Sequence, residues 1–275
     1  MQKELSEESY KQFSSFLKLK IGITLGDNKQ YLVRSRLSSI SRDFNYDSLD
    51  KMISAILQDN NQALVDRALF AMTTNETFWF RDLYPFDILS NHLLPELAQQ
   101  KNKIRIWSAA CSYGQEPYSI AMIISEFNNK YPTKRFNQVE IIATDVTNPV
   151  LERAALAEYD ELAVSRGLSK ERLNNFFTQN SVKKWTLNSD IKKLVQFRKL
   201  NLFDSFSSIG QCDLVFCRNV LIYFDDKDKA KILQKISAQL PANGSLFLGA
   251  AESIAGAEHL FKMVKQSQGL YYSKL

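Results

Sequence analysis

Four polar residues stand at the ends of short apolar runs that are typical of buried strands, or in the loops that follow such runs. They are Glu116, Asp145, Arg218 and Asn219. An open parallel sheet binds its ligands beyond the carboxyl ends of its strands. We therefore expect these side chains to surround one ligand site, where two carboxylates, a guanidinium and an amide would meet.

The loop 108–117 (SAACSYGQEP) is rich in small residues, which let a backbone approach a ligand closely. It holds one glycine, Gly114, where a dinucleotide-binding fingerprint has three, so a pyrophosphate site is disfavoured. The carboxylate of Glu116 at the helix start would repel a phosphate, but it could accept a hydrogen bond from a ligand ammonium group. The alternative is that Glu116 only complements the helix dipole.

Asp145 stands at the tip of the second predicted strand. An acidic residue there can accept hydrogen bonds from both ribose hydroxyls of a nucleoside. The alternative is a helix cap before Pro149. Taken with the loop 108–117, the pattern favours the nucleoside. A nucleoside that carries an ammonium group and no phosphate suits S-adenosyl-L-methionine (SAM).

The elements that position these residues follow a helical segment. In residues 1–72, apolar side chains recur at three- and four-residue spacing, which predicts a small helical bundle with breaks at 26–28 and 43–46. No catalytic constellation is visible within it. The polar and aromatic segment 73–82 comes next, and a helix is predicted over 84–100.

Beyond residue 103, predicted strands and helices alternate. Strands are predicted at 104–107, 139–144, 213–217, 244–249 and 269–273, and helices at 117–127, 150–156 and 226–240. This order indicates an α/β fold with a mostly parallel sheet and helices on both faces. Two β-like pieces, around 182–187 and 194–200, do not fit the alternation and predict a short antiparallel insert.

The composition narrows the class of protein. The 275 residues carry 35 Lys and Arg against 30 Asp and Glu, and the net charge of +5 is unlike that of a dedicated nucleic-acid-binding protein. Three cysteines are too few for a disulfide framework or a zinc site, so we expect buried thiols. Two histidines disfavour a histidine-based mechanism. The chain has no stretch of signal-peptide type and no run of ~20 apolar residues, which favours a cytoplasmic protein without membrane insertion.

Five separated motifs, in a fixed order, show that this sequence is similar to a known protein family. They are 73–82 (TTNETFWFRD), 107–122 (WSAACSYGQEPYSIAM), 143–146 (ATDV), 201–202 (NL) and 217–225 (CRNVLIYFD). Through them essentially all of 1–275 resembles the chemotaxis receptor glutamate O-methyltransferases, the CheR family.

The resemblance implies an α/β protein in two parts. A small N-terminal all-helical, receptor-facing domain would span 1–72 and a linker 73–90. A Rossmann-like SAM-dependent methyltransferase domain would span 91–275, with a small antiparallel β-subdomain inserted at about 171–200.

The resemblance also implies roles for residues at matching positions. The implied cofactor contacts are Asn75, Thr77, Arg81, Glu116, Asp145, Asn201, Leu202, Arg218 and Asn219. Glu116 would hold the methionyl amino group, Asp145 the ribose, and 201–202 would lie by the adenine. Arg81 and Tyr223 would be the catalytic residues beside the transferred methyl, although a lone aromatic such as Tyr223 more often belongs to a core.

The implied reaction is methylation of specific glutamates on the cytoplasmic helical bundle of methyl-accepting chemotaxis receptors, for sensory adaptation. Its products would be glutamyl γ-methyl esters and S-adenosyl-L-homocysteine, and no metal is required. Arg81 would orient the substrate carboxylate or only anchor the cofactor carboxylate. The competing hypotheses are another methyl acceptor, a non-catalytic cofactor-sensing module and, more weakly, an RNA methyltransferase.

Two departures from the family pattern qualify the resemblance. Tyr113 stands where the family commonly has a small residue, and Gln115 stands where it has an acid. The bulk of Tyr113 is expected to alter the pocket wall. The insert loop at 178–187 is short and has no glycine, whereas some relatives bind a receptor C-terminal pentapeptide through a glycine-containing loop. We therefore predict receptor recognition that is independent of such a tether.

Basic residues lie near the second predicted helix, at Lys29, Arg34 and Arg36, with Arg42 beyond. Scattered charges of this kind usually form a solvated face. In the family this region faces acidic methylation helices of the receptor. The alternative hypothesis is therefore electrostatic steering onto that bundle.

Overall fold

Four helices form the N-terminal part of the protein. In the computed structural model, which describes residues 5–254 and 256–275, they are α1 (Glu7–Ile21), α2 (Gln30–Asp43), α3 (Leu49–Leu57) and α4 (Gln62–Met72). The side chains of Ser6, Ser48 and Asn61 cap three of them, each accepting a hydrogen bond from the backbone N–H three residues on. The predicted helical bundle is confirmed.

The bundle has a hydrophobic core of its own. Phe13, Leu37, Met52 and Ile53 are fully buried at its centre. Val146, which follows a strand of the second part of the protein, packs against the same core. The bundle is therefore joined to the rest of the molecule by packing and not only by the chain.

The predicted helix over 84–100 is interrupted. It consists of α5 (Tyr84–Ile88), a π-helical turn (Leu89–Leu93) and α6 (Leu94–Gln100). Pro95 has no N–H to donate to the carbonyl four residues before it, which accounts for the irregular turn just ahead of the proline.

Among the described residues, ten strands follow, in two sheets. They are β1 (Lys103–Ala109), β2 (Gln138–Asp145), β3 (Glu158–Tyr159), β4 (Phe177–Gln179), β5 (Trp185–Leu187), β6 (Val195–Lys199), β7 (Leu214–Cys217), β8 (Ser245–Leu248), β9 (Phe261–Gln266) and β10 (Gly269–Lys274). The large sheet has the order β6-β2-β1-β7-β8-β10-β9, and the small one β3-β5-β4. The first five strands of the large sheet are parallel, while β10 is antiparallel to both its neighbours.

Helices lie on both faces of the large sheet, as predicted. They include α7 (Gln115–Lys130), α8 (Asn148–Leu156), α9 (Glu161–Ser165), α10 (Lys170–Phe176), α11 (Ser189–Lys192) and α12 (Asp226–Gln239). Successive residues of β1 point to opposite faces, so Ile106 belongs to the core that contains Ile120 of α7, and Trp107 to the core that contains Leu233 of α12. The Rossmann-like architecture is confirmed.

The assignment of 194–200 to the antiparallel insert is wrong. This piece is β6, which pairs in parallel with β2 at the edge of the large sheet, from Ile141 opposite Val195 to Asp145 opposite Lys199. The small sheet is completed instead by β3, which lies earlier in the chain. An edge strand with an exposed side alternates polar and apolar residues just as a hairpin strand does, so the pattern did not separate them.

β9 is an element that the sequence pattern did not reveal. It forms the other edge of the large sheet, where Phe261 is buried, its neighbour Lys262 is exposed and Met263 is half exposed. The three cysteines are buried free thiols, as expected. Within 5–254 and 256–275, no helix has the length and apolar character needed to cross a membrane.

Candidate cofactor and active site

A cleft of about 970 Å³, counting the space open to solvent, lies beyond the carboxyl ends of β1, β2, β6 and β7. All ten residues assigned a site role from the sequence line it: Asn75, Thr77, Arg81, Glu116, Asp145, Asn201, Leu202, Arg218, Asn219 and Tyr223. They come together because parallel strands bring their carboxyl ends to one edge of the sheet. The individual roles of these residues stay predictions.

The loop between β1 and α7 has an unusual backbone. Ala110, Ser112 and Gly114 all have positive φ, at 57°, 49° and 89°. The Ser112 N–H donates to Asp145 Oδ2 at 3.0 Å, and the Ser112 hydroxyl donates to the Asn75 carbonyl at 2.9 Å. Strained backbone persists where surrounding contacts hold it. Here the contacts tie the loop to the tip of β2 and to the linker.

Asp145 is buried at the base of the cleft, with 7% of its surface exposed. Its Oδ1 accepts from the Val146 N–H at 2.8 Å, and Oδ2 accepts from Ser112. Burial raises the pKa of Asp145, and the backbone donors of Ser112, Val146 and Thr147 oppose this shift. A carboxylate has about four acceptor sites, which these donors do not fill, so Asp145 is oriented and can still accept hydrogen bonds from a ligand.

Glu116 and Arg218 form a buried ion pair inside the cleft. Arg218 Nη1 donates to Glu116 Oε2 at 2.9 Å, and Ser108 Oγ donates to Glu116 Oε1 at 2.7 Å. Arg218 Nη2 donates to Asp82 Oδ2 at 2.7 Å and to the Arg81 carbonyl at 2.8 Å. The side chain of Arg218 is 1% exposed. Arg218 therefore orients Glu116 and fastens the linker to the end of β7.

The linker is also anchored on its aromatic side. Trp79 is fully buried and packs edge-on against Tyr159 and Phe177 of the small sheet, with ring centroids 4.9 and 5.3 Å away. The backbone N–H of Trp79 donates to the Arg166 carbonyl at 3.1 Å. Gly167 has φ of +90° and passes so close to Trp79 that a side chain there would overlap its carbonyl. The insert thus supports the segment that carries Arg81.

Arg81 keeps most of its donors available. Its Nη1 donates to the Glu76 carbonyl at 3.2 Å, and its guanidinium lies 5.4 Å from the Phe78 ring. In the part of the chain that the structure describes, Arg81 has no ion-pair partner. A planar guanidinium with free donors at a cleft is suited to hold a carboxylate. Tyr223, at the end of a single 3₁₀ turn (Leu221–Tyr223), lines the same cleft and is partly exposed.

The helical domain supplies part of the cleft, which the sequence reasoning missed. Ile21 and Ile23, on either side of the end of α1, line it. Gly22 between them has φ of +72°, and a Cβ there would overlap the Phe203 ring. The side-chain amide of Asn201 donates to the Lys20 carbonyl. Gly22 predicts only a helix end, and nothing in the local sequence reveals that this end meets the second domain.

The expected effect of Tyr113 on the pocket wall is wrong. Tyr113 lies outside the set of lining residues, with its ring 4.4 Å from the guanidinium of Arg153 on α8. Its carbonyl accepts a hydrogen bond from the Tyr159 hydroxyl at 2.9 Å. The neighbouring Gln115 is buried, and its backbone carbonyl accepts from Ser119 Oγ at 2.7 Å. Both departures from the family pattern therefore lie behind the cleft.

Comparison with known proteins agrees with this geometry. Residues 75–270 match the family model "CheR methyltransferase, SAM binding domain", and residues 8–73 match "CheR methyltransferase, all-alpha domain". The chain is 46% identical to the chemotaxis protein methyltransferase of Vibrio parahaemolyticus, over 98% of this chain and 97% of that protein. It is 43% identical to chemotaxis protein methyltransferase Cher2 of Pseudomonas putida, over 96% of each chain. The identity is 35% to the chemotaxis protein methyltransferase of Borreliella burgdorferi, over 87% of this chain and 86% of that protein.

The sheet, the cleft at its carboxyl edge and the match to a SAM-binding domain define a SAM-dependent methyltransferase. Both parts of the chain match parts of one family, in the same order and over nearly their whole length. The chain belongs to the CheR methyltransferase family.

Proposed function

We propose that this protein transfers the methyl group of SAM to specific glutamate side chains of methyl-accepting chemotaxis receptors, giving γ-methyl esters. The observation that carries the proposal is that the oriented carboxylates of Glu116 and Asp145 line the same cleft as the guanidinium of Arg81, which has no ion-pair partner among the described residues. The names of its relatives, which are chemotaxis protein methyltransferases, support the receptor as substrate.

The residues present fit the cofactor. Asp145 offers a buried, oriented carboxylate for the ribose hydroxyls, and Glu116 offers one for the amino group. Ile23, Val146 and Leu202 add apolar surface to the same cleft, which suits an adenine ring. When bound, SAM supplies a methyl group on a positively charged sulfur.

The chain does not need a general base for this reaction. A glutamate carboxylate is ionised near pH 7, so it is already a nucleophile when it enters the cleft. What the protein must do is align the acceptor and exclude water, with the reacting atoms held at ~3–3.5 Å. We assign the alignment to Arg81 and Tyr223. Arg81 would act by positioning, because too tight an ion pair would weaken the nucleophile.

Basic residues in α2 and just before it support the proposal that the partner is acidic. Lys29 and Arg42 are exposed and Arg34 is partly so, which suits steering of an acidic helical bundle. Arg36 does not belong to this set. Its Nη1 donates to the carbonyls of residues 71, 72 and 73 at 3.3, 2.8 and 3.2 Å, so it caps the end of α4.

We further propose that receptor recognition is independent of a C-terminal pentapeptide tether. The connection between β4 and β5 is a tight turn in which Asn180 Oδ1 accepts from the N–H groups of Val182 and Lys184 at 3.1 and 2.9 Å. This turn has no glycine and is closed by its own hydrogen bonds. In calorimetry with such a pentapeptide we expect no binding, and micromolar affinity would contradict the proposal.

The test of the proposed function uses methyl-labelled SAM and receptor-containing membranes. We expect label on receptor protein that is released by mild base, as methyl esters are. The competing hypothesis of another acceptor predicts base-stable label or label on a small molecule. The hypothesis of a non-catalytic module predicts SAM binding in calorimetry without transfer.

A further inference from the structure

A glutamate that the sequence reasoning did not single out holds the loop 218–224, which contributes five of the residues that line the cleft. Glu252 lies in the turn after β8, where its N–H donates to the Gly249 carbonyl at 2.9 Å. β7 and β8 are parallel neighbours, with Cys217 opposite Leu248. The segments that follow these two strands therefore lie side by side at the carboxyl edge of the sheet.

Both oxygens of the Glu252 carboxylate accept backbone hydrogen bonds from these two segments. Oε2 accepts from Asn219 and Gly249 at 2.8 and 2.7 Å. Oε1 accepts from Val220 and Ile222 at 2.8 and 3.2 Å. Four N–H groups thus converge on one side chain, and three of them belong to the loop 218–224.

The loop needs such support because of its conformation. Asn219 has φ of +58°, and the following residues form a single 3₁₀ turn, so regular secondary structure satisfies few of its backbone groups. Gly249 fits the same arrangement. A Cβ at Gly249 would come within 2.7 Å of Asn219 Nδ2 and of Glu252 Oε2. The absence of a side chain there lets the loop approach the carboxylate.

We propose that Glu252 is a positioning residue for methyl transfer. Its carboxylate fixes the loop 218–224 so that Asn219 and Tyr223 face the cleft. It acts through the backbone of that loop, since it is not itself among the residues that line the cleft. The inference rests on SAM-dependent methyl transfer in this cleft and is independent of which acceptor receives the methyl group.

The first variant is Glu252→Gln, which keeps the shape of the side chain but replaces one acceptor oxygen by an NH₂ donor. Two backbone N–H groups then face a donor instead of an acceptor. We expect weaker SAM binding in calorimetry and a lower kcat, with a combined loss in kcat/KM of about a hundredfold, as for other displacements of about 1 Å. The matched control is Glu258→Gln. Its exposed carboxylate accepts from the Gly256 N–H at 3.2 Å and lies outside the cleft, so this variant should behave as the native protein.

The second variant is Glu252→Ala, which removes a fragment the size of acetate. Added acetate can then occupy the four N–H groups, so it should restore SAM affinity and raise the melting temperature. Chloride at equal ionic strength should do neither. Native SAM affinity and native kcat in folded Glu252→Gln would overturn the proposal. So would the absence of acetate rescue, or the failure of both variants to fold. If the Glu252 variants lose SAM binding while the native protein methylates no receptor, this inference stands and only the proposed substrate is contradicted.

Discussion

The strand-end wall of the cleft (Glu116, Asp145 and Arg218) and its helical wall (Ile21 and Ile23) hold their residues in different ways. The strand-end wall is polar, and its charged groups are fixed by hydrogen bonds and by a buried ion pair. The helical wall is apolar, and a glycine contact, an amide hydrogen bond and the Lys18–Asp225 ion pair at 3.3 Å join it to the second domain. The strand-end wall supplies charged and hydrogen-bonding groups, and the helical wall supplies apolar surface that shapes the cleft.

The difference predicts unequal sensitivity to substitution. A buried charge that loses its partner is costly, because the remaining charge stays desolvated. Displacing an apolar wall loses only the free energy of the part of its contact area that becomes exposed to water. Substitutions in the strand-end wall should therefore have larger effects on SAM binding than substitutions that shift the helical wall.

The largest effect is expected for Arg218→Met. The change leaves the carboxylates of Glu116 and Asp82 without their cation, and the free energy of unfolding should fall by about 3–5 kcal/mol. Urea unfolding measures this loss, and calorimetry should show that SAM binding is lost with it. Arg135→Met, at an exposed arginine outside the cleft, serves as the control. A loss no larger than that of the control would contradict the bridging role of Arg218.

Asp145→Asn comes next. It removes a charged acceptor and places an NH₂ group against a backbone N–H donor, so SAM affinity should fall by about 10- to 100-fold. Calorimetry gives the dissociation constant directly. Asp87→Asn, at an exposed position on α5, should leave it unchanged. If both variants bind SAM like the native protein, the ribose does not depend on Asp145.

The pH dependence of SAM binding tests the same carboxylate without substitution. Burial raises the pKa of Asp145, and only the ionised form can accept from both ribose hydroxyls. As pH falls through this raised pKa, SAM affinity should decrease at a higher pH than an ordinary aspartate would allow. The decrease should disappear in Asp145→Asn. A native protein whose affinity does not change down to the ordinary range of aspartate would count against this assignment.

Much of the strand-end wall could be predicted from the sequence, because Asp145 and Arg218 end or follow apolar runs, Glu116 comes just after the loop that follows another, and parallel strands carry such positions to one edge. The helical wall could not, since it depends on contact between residues far apart in the chain, such as Lys20 with Asn201. The same limit explains β6, whose alternation suits an edge strand as well as a hairpin. The role of Glu252 could not be predicted either. Its partners are backbone N–H groups, which almost every residue has, so the sequence does not identify them.

A smaller effect is expected for Gly22→Ala, which tests the helical wall. An alanine at φ of +72° is strained and would overlap the Phe203 ring, so the free energy of unfolding should fall by about 1–3 kcal/mol. SAM affinity should fall by several-fold as α1 moves. Gly26→Ala is the matched control, because its Cβ would meet no atom within 4 Å. Equal melting temperatures and affinities for the two variants would show that the helical wall is not needed.

The smallest effect is expected at the basic surface. Charge reversal by Lys29→Glu with Arg42→Glu should lower the rate of receptor methylation by about two- to threefold at low salt, and by less at high salt. SAM affinity should not change, because both residues lie outside the cleft. Initial rates at two ionic strengths measure the effect. A loss that does not depend on salt would contradict electrostatic steering.

The most direct test of the central claim is mass spectrometric mapping of the methylated sites on receptors incubated with this protein and SAM. We expect methyl esters on particular glutamates of the cytoplasmic helical bundle, and their absence when Asp145→Asn replaces the native protein at limiting SAM. Cofactor binding without any carboxyl methylation of a receptor would contradict it.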